Sequence, residues 1–560
     1  MKKYFLILIL FFSQFNSAQT SVTDTQKFKQ VGLVWGLMKY HHPDVSKGTY
    51  DWNPILLEAL ARCEKMESQE ELNAFLLDFV RKYTTKSTRF KERKVDHSKL
   101  FLKNQDYDWI DKAVFGDELT KELHKLKDNG NSSGFYVKVS KLTRMVSFEN
   151  EKGIPDFEVK NKHHRLLTLF SFWNAMHYWN LNKYLTDEKW FDVLDGAMDD
   201  FSNANSKVKY ELAKLKIVAK LNDSHSMGFS SEVRDSLFKF SASFNVKVVN
   251  DSAVVTRFAN KKLATENGIE LGDVIVKIKN QKVSTYIDTT FSDLLSASNR
   301  TALHKGLSYN LLLCNNVDSI QVDLIKKNGE VVNKYIKLYE KFDYDIDTSK
   351  TQHKENYYFV KPNIGYLNVG KMTKKEVENA FKQFVNTEGL ILDLRIYPRN
   401  ITASAITKQL LPKRKEFIKV TLPINGYPSV SEYDAEAPLR FISDPFKTAA
   451  SSKKYYKGKV VLLVDRNTAS RGEFIGMAIQ QSPNCITIGE QTSGAPTNIT
   501  LFTLPDGSEE VFTGYGGFYP TGESVQRNGL KLDYTIIEKA MNYDPNRYIN
   551  EAVKIIEGDK

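Results

Sequence analysis

The chain has 560 residues, which at ~150 residues per domain implies several folding units rather than one. Its content of 41% hydrophobic, 12% aromatic and 26% charged residues excludes disordered, collagen-like and disulfide-scaffold classes, and a mean hydropathy of −0.41 excludes a polytopic membrane protein. A net charge of +11 is small for this length. The densest basic run, Lys86–Lys94, contains a Glu and lies in no nucleic-acid module, so it reads as a solvated face and no nucleic-acid partner is expected.

The chain opens with Lys2 and Lys3, an apolar run from Tyr4 to Phe12, and small residues Ser17 and Ala18 before Gln19. This order predicts a secretory signal peptide over residues 1–18. The run is shorter than the ~20 residues a spanning helix needs, and no later run reaches that length. The expectation is an exported chain, periplasmic or extracellular, without a stable membrane span. Cys63, Cys314 and Cys485 lie far apart with no CxxC pair, so neither a metal site nor a redox motif is indicated.

From about Asp24 to Asn222, within a region set at 19–226, the pattern is helical and internally repeated. Trp35, Met38, Tyr40, Trp52, Leu56 and Ala59 recur at one fixed offset as Trp173, Met176, Tyr178, Trp190, Leu194 and Ala197. Two related helical units, at about 24–85 and 162–226, are expected. The second ends in Asp223-Ser224-His225 where the first has Thr84-Thr85-Lys86. The aromatic set invites a carbohydrate-stacking reading, but helical spacing and repetition favour core packing. His41-His42 and His163-His164 lack a third group at metal-ligand spacing and read as structural.

The period changes to two within 235–340. Phe244–Val249 and Ser252–Phe258 alternate as strands, and Asn267–Val283 follows with Gly268 and Gly272 around a turn before Asp273. This resembles the PDZ signature. The resemblance implies a domain that binds peptide by strand addition, with Gly268, Ile269 and Gly272 at the peptide.

From 355 to 545 strands and helices alternate. Ile364–Val369, Gly389–Leu394, Lys459–Val464 and Cys485–Ile488 read as strands, and Lys374–Val385 and Ser470–Gln481 as helices. Apolar strands without alternation point to a buried, partly parallel sheet. Ser470 stands at the helix start after the Lys459–Val464 strand. There backbone N–H groups and the helix dipole favour a developing oxyanion. Ser470-Arg-Gly-Glu473 is also a formal capping box, which needs no catalysis.

The ordered set Thr468-Ala-Ser-Arg-Gly-Glu473, Gly489–Gly494, Leu504–Gly507 and Asn528–Asp533 is similar to the core of the C-terminal processing/tricorn family of serine peptidases. The likeness runs from about Asn222 to Asp533, and Trp35–Asp44 resembles the N-terminal region of exported members. It implies a multidomain α+β chain with a helical N-terminal region, a PDZ-like β domain and an α/β peptidase core with a crotonase/ClpP-like spiral. Where the Ser–Lys branch carries Thr-x-Gly-Lys, this chain has Thr492-Ser-Gly-Ala495, so that plan is disfavoured. The tricorn-like branch takes a His from just before the PDZ domain, which is the place of His225.

On this resemblance Ser470 is the nucleophile, His225 the base and Ser224 a supporting hydroxyl. The position of the orienting Glu falls on Gln526, with Glu523 as the alternative. The oxyanion donors would be the backbone of Arg471 with Tyr397 or Arg399, since Pro398 has no N–H. The implied activity is hydrolysis of extended or unfolded polypeptide, without metal or organic cofactor. The alternative is a catalytically weak or inactive homologue that binds peptide or lipid.

Overall fold

The computed structural model describes residues 22–90, 97–226, 228–308, 311–345, 355–438, 440–441, 444–451 and 454–558. The proposed signal at 1–18 and part of the Lys86–Lys94 run lie outside the described residues. The chain is a mixed helix-and-sheet protein.

Helices Asp24–His41, Trp52–Cys63 and Gln69–Tyr83, and then Lys162–Trp179, Trp190–Asn203 and Lys207–Ala219, form the N-terminal layer. The two helical units share an unusual lock. Trp35 Nε1 donates to the Trp52 carbonyl at 2.8 Å and Trp52 Nε1 to the Trp35 carbonyl at 3.0 Å. Trp173 and Trp190 exchange the same pair of bonds at 2.8 and 3.1 Å. Each indole thus buries its ring with its only donor satisfied. The units meet along Asp24–His41 and Lys162–Trp179, where a Cβ on Gly32 would strike the Phe170 ring and one on Gly36 would strike Asn174. All four tryptophans, with Tyr40, Tyr178 and Trp179, are buried. That overturns the carbohydrate-stacking reading, because no ring face is open to a sugar.

Strands Phe244–Val249, Ser252–Phe258, Val274–Ile278, Ser319–Ile325 and Val331–Lys337 pair antiparallel in that order. Helices Val283–Phe291 and Arg300–Leu307 belong to the same unit. Gly268 and Gly272 both have positive φ, at 62° and 92°, which a turn residue without Cβ adopts freely. Lys326 braces this turn, pairing with buried Asp273 at 2.7 Å and donating to the Gly268 carbonyl at 3.1 Å.

The C-terminal unit is built on a six-stranded sheet ordered Tyr357–Lys361, Ile364–Asn368, Gly389–Asp393, Lys459–Val464, Cys485–Gly489, Tyr534–Thr535. Its first pair is antiparallel and the rest are parallel. Gly389–Asp393 and most of Lys459–Val464 are buried on both faces, as unbroken apolar runs require. A second sheet joins Lys419–Pro423 to Ser431–Tyr433, Gly516–Phe518 and the short strand Leu100–Phe101 from the N-terminal region.

One hairpin, Ile499–Thr503 with Glu509–Thr513, leaves this unit and enters the helical layer. Phe502, Leu504 and Phe512 join the helical core. Lys214 holds Asp506 at 2.7 Å with both side chains buried, and Ile154 N–H donates to the Pro505 carbonyl at 2.8 Å. The helical layer therefore clasps a hairpin whose last residue, Thr513, lies at the site described next.

Candidate active site

Ser470 joins the Lys459–Val464 strand to helix Arg471–Ile479 through the turn 465–469. Its backbone is at φ 51° and ψ −119°. The capping box with Glu473 is formed, but a capping serine ordinarily sits in the extended region, which these angles leave. A non-glycine residue held there costs about 1–3 kcal/mol, and such strain persists only where the surroundings impose it. A sharp strand-to-helix turn of this kind lifts a serine hydroxyl clear of its helix.

The surroundings that impose it are visible. Thr468 Oγ1 donates to the Leu394 carbonyl at 2.9 Å, and Asp465 N–H donates to Thr468 Oγ1 at 3.1 Å. Buried Glu473 reaches back to accept from Ser470 N–H at 3.3 Å, and also from Gly494 N–H at 2.7 Å and Ala495 N–H at 2.9 Å. Thr492 donates a further short bond to it. Burial pushes the Glu473 carboxyl up even against these donors. Glu473 is thus a clasp joining the serine turn to the 492–495 loop, which goes beyond a local cap.

Ser470 and His225 line one cavity of about 800 Å³. Its walls include Tyr397, Val420, Leu422, Phe446 and Phe474. Ser470 Oγ donates weakly to the Thr497 carbonyl at 3.4 Å. His225 Nε2 is buried without a hydrogen-bond partner among the described residues. The hydroxyl and the ring share the cavity without yet being bonded to one another. Catalytic contacts of this type commonly tighten only with substrate.

The other face of the imidazole is fully engaged. His225 Nδ1 is 2.8 Å from Thr513 Oγ1, and Thr513 Oγ1 donates to Asp223 Oδ1 at 2.7 Å. Asp223 also accepts from Thr513 N–H at 2.6 Å and His225 N–H at 3.0 Å. Burial pushes the Asp223 carboxyl up, but these bonds and the neighbouring imidazole outweigh it and hold it below the ordinary range. Asp223 Oδ1 itself is 3.7 Å from Nδ1, beyond hydrogen-bond reach.

The remaining expected site residues divide. Ser224 lines the cavity but does not bond the ring; its hydroxyl donates to the Ser493 carbonyl at 2.8 Å and accepts from Ser298 N–H at 3.0 Å. Gln526 is buried, yet it donates to Thr513 Oγ1 at 3.3 Å instead of bonding His225. Glu523 is excluded as a partner of the imidazole, because it lies on an exposed loop paired with Lys531 and Thr521. Of the two oxyanion candidates beside Arg471, Tyr397 lines the cavity, whereas the Arg399 carbonyl accepts from the Arg471 guanidinium at 2.9 Å. Ile269 is buried in the core of its own unit, and Gly268 and Gly272 shape its turn. That burial removes Ile269 as a peptide contact.

Three residues were not anticipated. Thr513 ends a hairpin with no motif around it. The carboxylate of Asp223 carried no signal beyond adjacency. Lys305, from the antiparallel-sheet unit, also lines the cavity; its ammonium is 3.4 Å from Ser493 Oγ, and burial pushes it below the ordinary lysine range.

Residues 363–536 match peptidase family S41. Proteins that resemble this core include carboxy-terminal processing proteases. The carboxy-terminal processing protease CtpA of Bacillus subtilis (strain 168) is 28% identical over 193 residues, 33% of this chain and 36% of its own length. A carboxyl-terminal-processing protease of Picosynechococcus sp. is 24% identical over 286 residues, 49% of this chain and 58% of its own. The chain therefore spans between about a third and three fifths of these two relatives. Mature CPAF, solved in complex with lactacystin, superposes with a TM-score of 0.53 over 70% of this chain and 98% of its own at 13% identity, a likeness of fold. The segment that matches the S41 model includes Ser470, Glu473 and Gln526, whereas Asp223 and His225 lie outside it.

Proposed function

We propose that this chain is an exported serine endopeptidase that hydrolyses extended or unfolded polypeptides. Ser470 attacks the peptide carbonyl, and His225 Nε2 takes its proton and returns it to the leaving amine. Backbone N–H groups of Arg471 and Tyr397 receive the oxyanion. The observation that carries this reading is the strained backbone of Ser470, which opens onto the same cavity as the unpartnered Nε2 of His225. The S41 match supports it. Apolar walls suit an extended chain stripped of water. The antiparallel-sheet unit acts as a PDZ-like capture domain. Its outer strand Val331–Lys337 offers an edge for strand addition, with Val331 and Tyr335 exposed on it.

The test is cleavage of a permanently unfolded, reduced and alkylated protein. Ser470→Ala and His225→Ala are each expected to abolish it while the fold is kept, and a fluorophosphonate probe is expected to label Ser470 only in the wild type. Full cleavage by either variant refutes the assignment. Lys305 gives a second reading, in which a desolvated lysine serves as the base. If Lys305→Met loses probe labelling and His225→Ala keeps it, that reading replaces the first. A binding protein built on the same core is favoured instead if the wild-type serine does not react at all.

A further inference from the structure

The role of orienting His225 does not fall to a carboxylate on the ring or to Gln526. We propose that Thr513 is a positioning residue that links the imidazole of His225 to the carboxylate of Asp223. The inference rests on the reading of His225 as the base.

The argument is one of counting donors. A hydroxyl has one proton and two lone pairs. Asp223 Oδ1, 2.7 Å away, is an acceptor only, so the Thr513 proton must go there. The two lone pairs then face His225 Nδ1 at 2.8 Å and Gln526 Nε2 at 3.3 Å. Both of these partners must donate. The amide of Gln526 is thereby oriented with its NH₂ toward Thr513, which leaves Gln526 Oε1 buried and without a partner among the described residues. His225 must carry its proton on Nδ1. Its Nε2 then presents a lone pair to the cavity, the arrangement a general base requires.

The same chain serves the second half of the reaction. When Nε2 gains the serine proton, the imidazolium donates more strongly through Nδ1. The Thr513 hydroxyl passes that polarisation to Asp223 without itself losing a proton. A direct carboxylate is unnecessary, and Gln526 acts by fixing the direction of the hydroxyl. The hairpin that ends in Thr513 is gripped by the helical layer through Lys214 and Asp506, and Asp223 lies just beyond helix Lys207–Ala219 of that layer. One body thus supports both ends of the link.

The experiment pairs a spectroscopic readout with a kinetic one. In protein labelled with ¹⁵N-histidine, with His225 assigned by difference from His225→Gln, the wild type is expected to show the Nδ1–H tautomer. Thr513→Val removes the hydroxyl at nearly constant shape. Asp223 keeps its bonds from the His225 and Thr513 N–H groups, so folding is expected to survive. In that variant His225 is expected to move to the Nε2–H tautomer that free histidine favours in water, and kcat/KM to fall tenfold or more. Thr513→Ser is expected to restore both. An unchanged tautomer in Thr513→Val, or a kcat/KM within twofold of wild type, overturns the proposal. The tautomer arm needs no turnover, so it judges the link even if Ser470→Ala shows that the peptidase reading is wrong.

Discussion

Replacing the proposed nucleophile should separate activity from stability, because Ser470 is held at φ 51° and ψ −119°. An alanine there keeps the Cβ and its steric conflict. A glycine removes the conflict, since that region is open to it. The strain is about 1–3 kcal/mol, and glycine returns ~0.5–1 kcal/mol as extra freedom in the unfolded chain. The hydroxyl contributes one long contact to Thr497 in either comparison, so it cancels between the two variants. Ser470→Gly is therefore expected to be more stable than Ser470→Ala by up to about 2.5 kcal/mol, with both inactive. For a unit of this size that is about 2–4 °C per kcal/mol in the melting transition of the C-terminal unit. Thermal scans at fixed rate, with limited proteolysis of the same samples, would read it. A glycine variant no more stable than the alanine variant would refute the claim that the turn stores strain.

Other expectations concern charge, the hairpin and the repeat. Burial, then the negative charge of Glu490, pushes Asp465 up to about 6. A raised carboxyl contributes stability that is complete below its unfolded value near 4 and is lost as pH rises through 6. Asp465→Asn is thus expected to gain in melting temperature over wild type between pH 4 and pH 7, and a gain of equal size at both would contradict the assignment. Lys214→Met leaves Asp506 and Glu211 buried without the ammonium they share. A loss of about 3–5 kcal/mol, with faster proteolysis around Gly507 and lower kcat/KM, is expected in denaturation and cleavage assays. Trp35→Phe and Trp173→Phe each remove an indole N–H bond and ring volume at matched places. Each should cost about 2–4 kcal/mol, and unequal losses would show that the two locks are not energetically equivalent.

Local chemistry was enough to locate several strands of the two sheet units, though not Ser319–Ile325, Val331–Lys337 or Lys419–Pro423. Phe244–Val249, Ser252–Phe258 and Lys459–Val464 have the predicted limits, because alternation and unbroken apolar runs record which faces are buried. Ser470 and His225 were legible from short motifs on either side of one domain, and the structure brings them to one cavity. The motif was also misleading. Ser470-x-x-Glu473 does form a capping box, and only the positive φ of Ser470 and the reach of Glu473 to Gly494 and Ala495 show that it does more than cap. The orienting group was placed on Gln526 or Glu523 because a linear pattern assigns a role to a position. Hydrogen bonds assign it to whichever group arrives at the ring.

Sequence alone determined the order of helical, alternating and unbroken apolar segments along this chain, since the period and polarity of side chains follow from local burial. Tertiary structure decided the environment of the candidate site. Asp223 and Thr513 are 290 residues apart and meet at 2.7 Å. That meeting depends on a hairpin entering another layer, and the free energy of such a long-range contact is written in no local pattern.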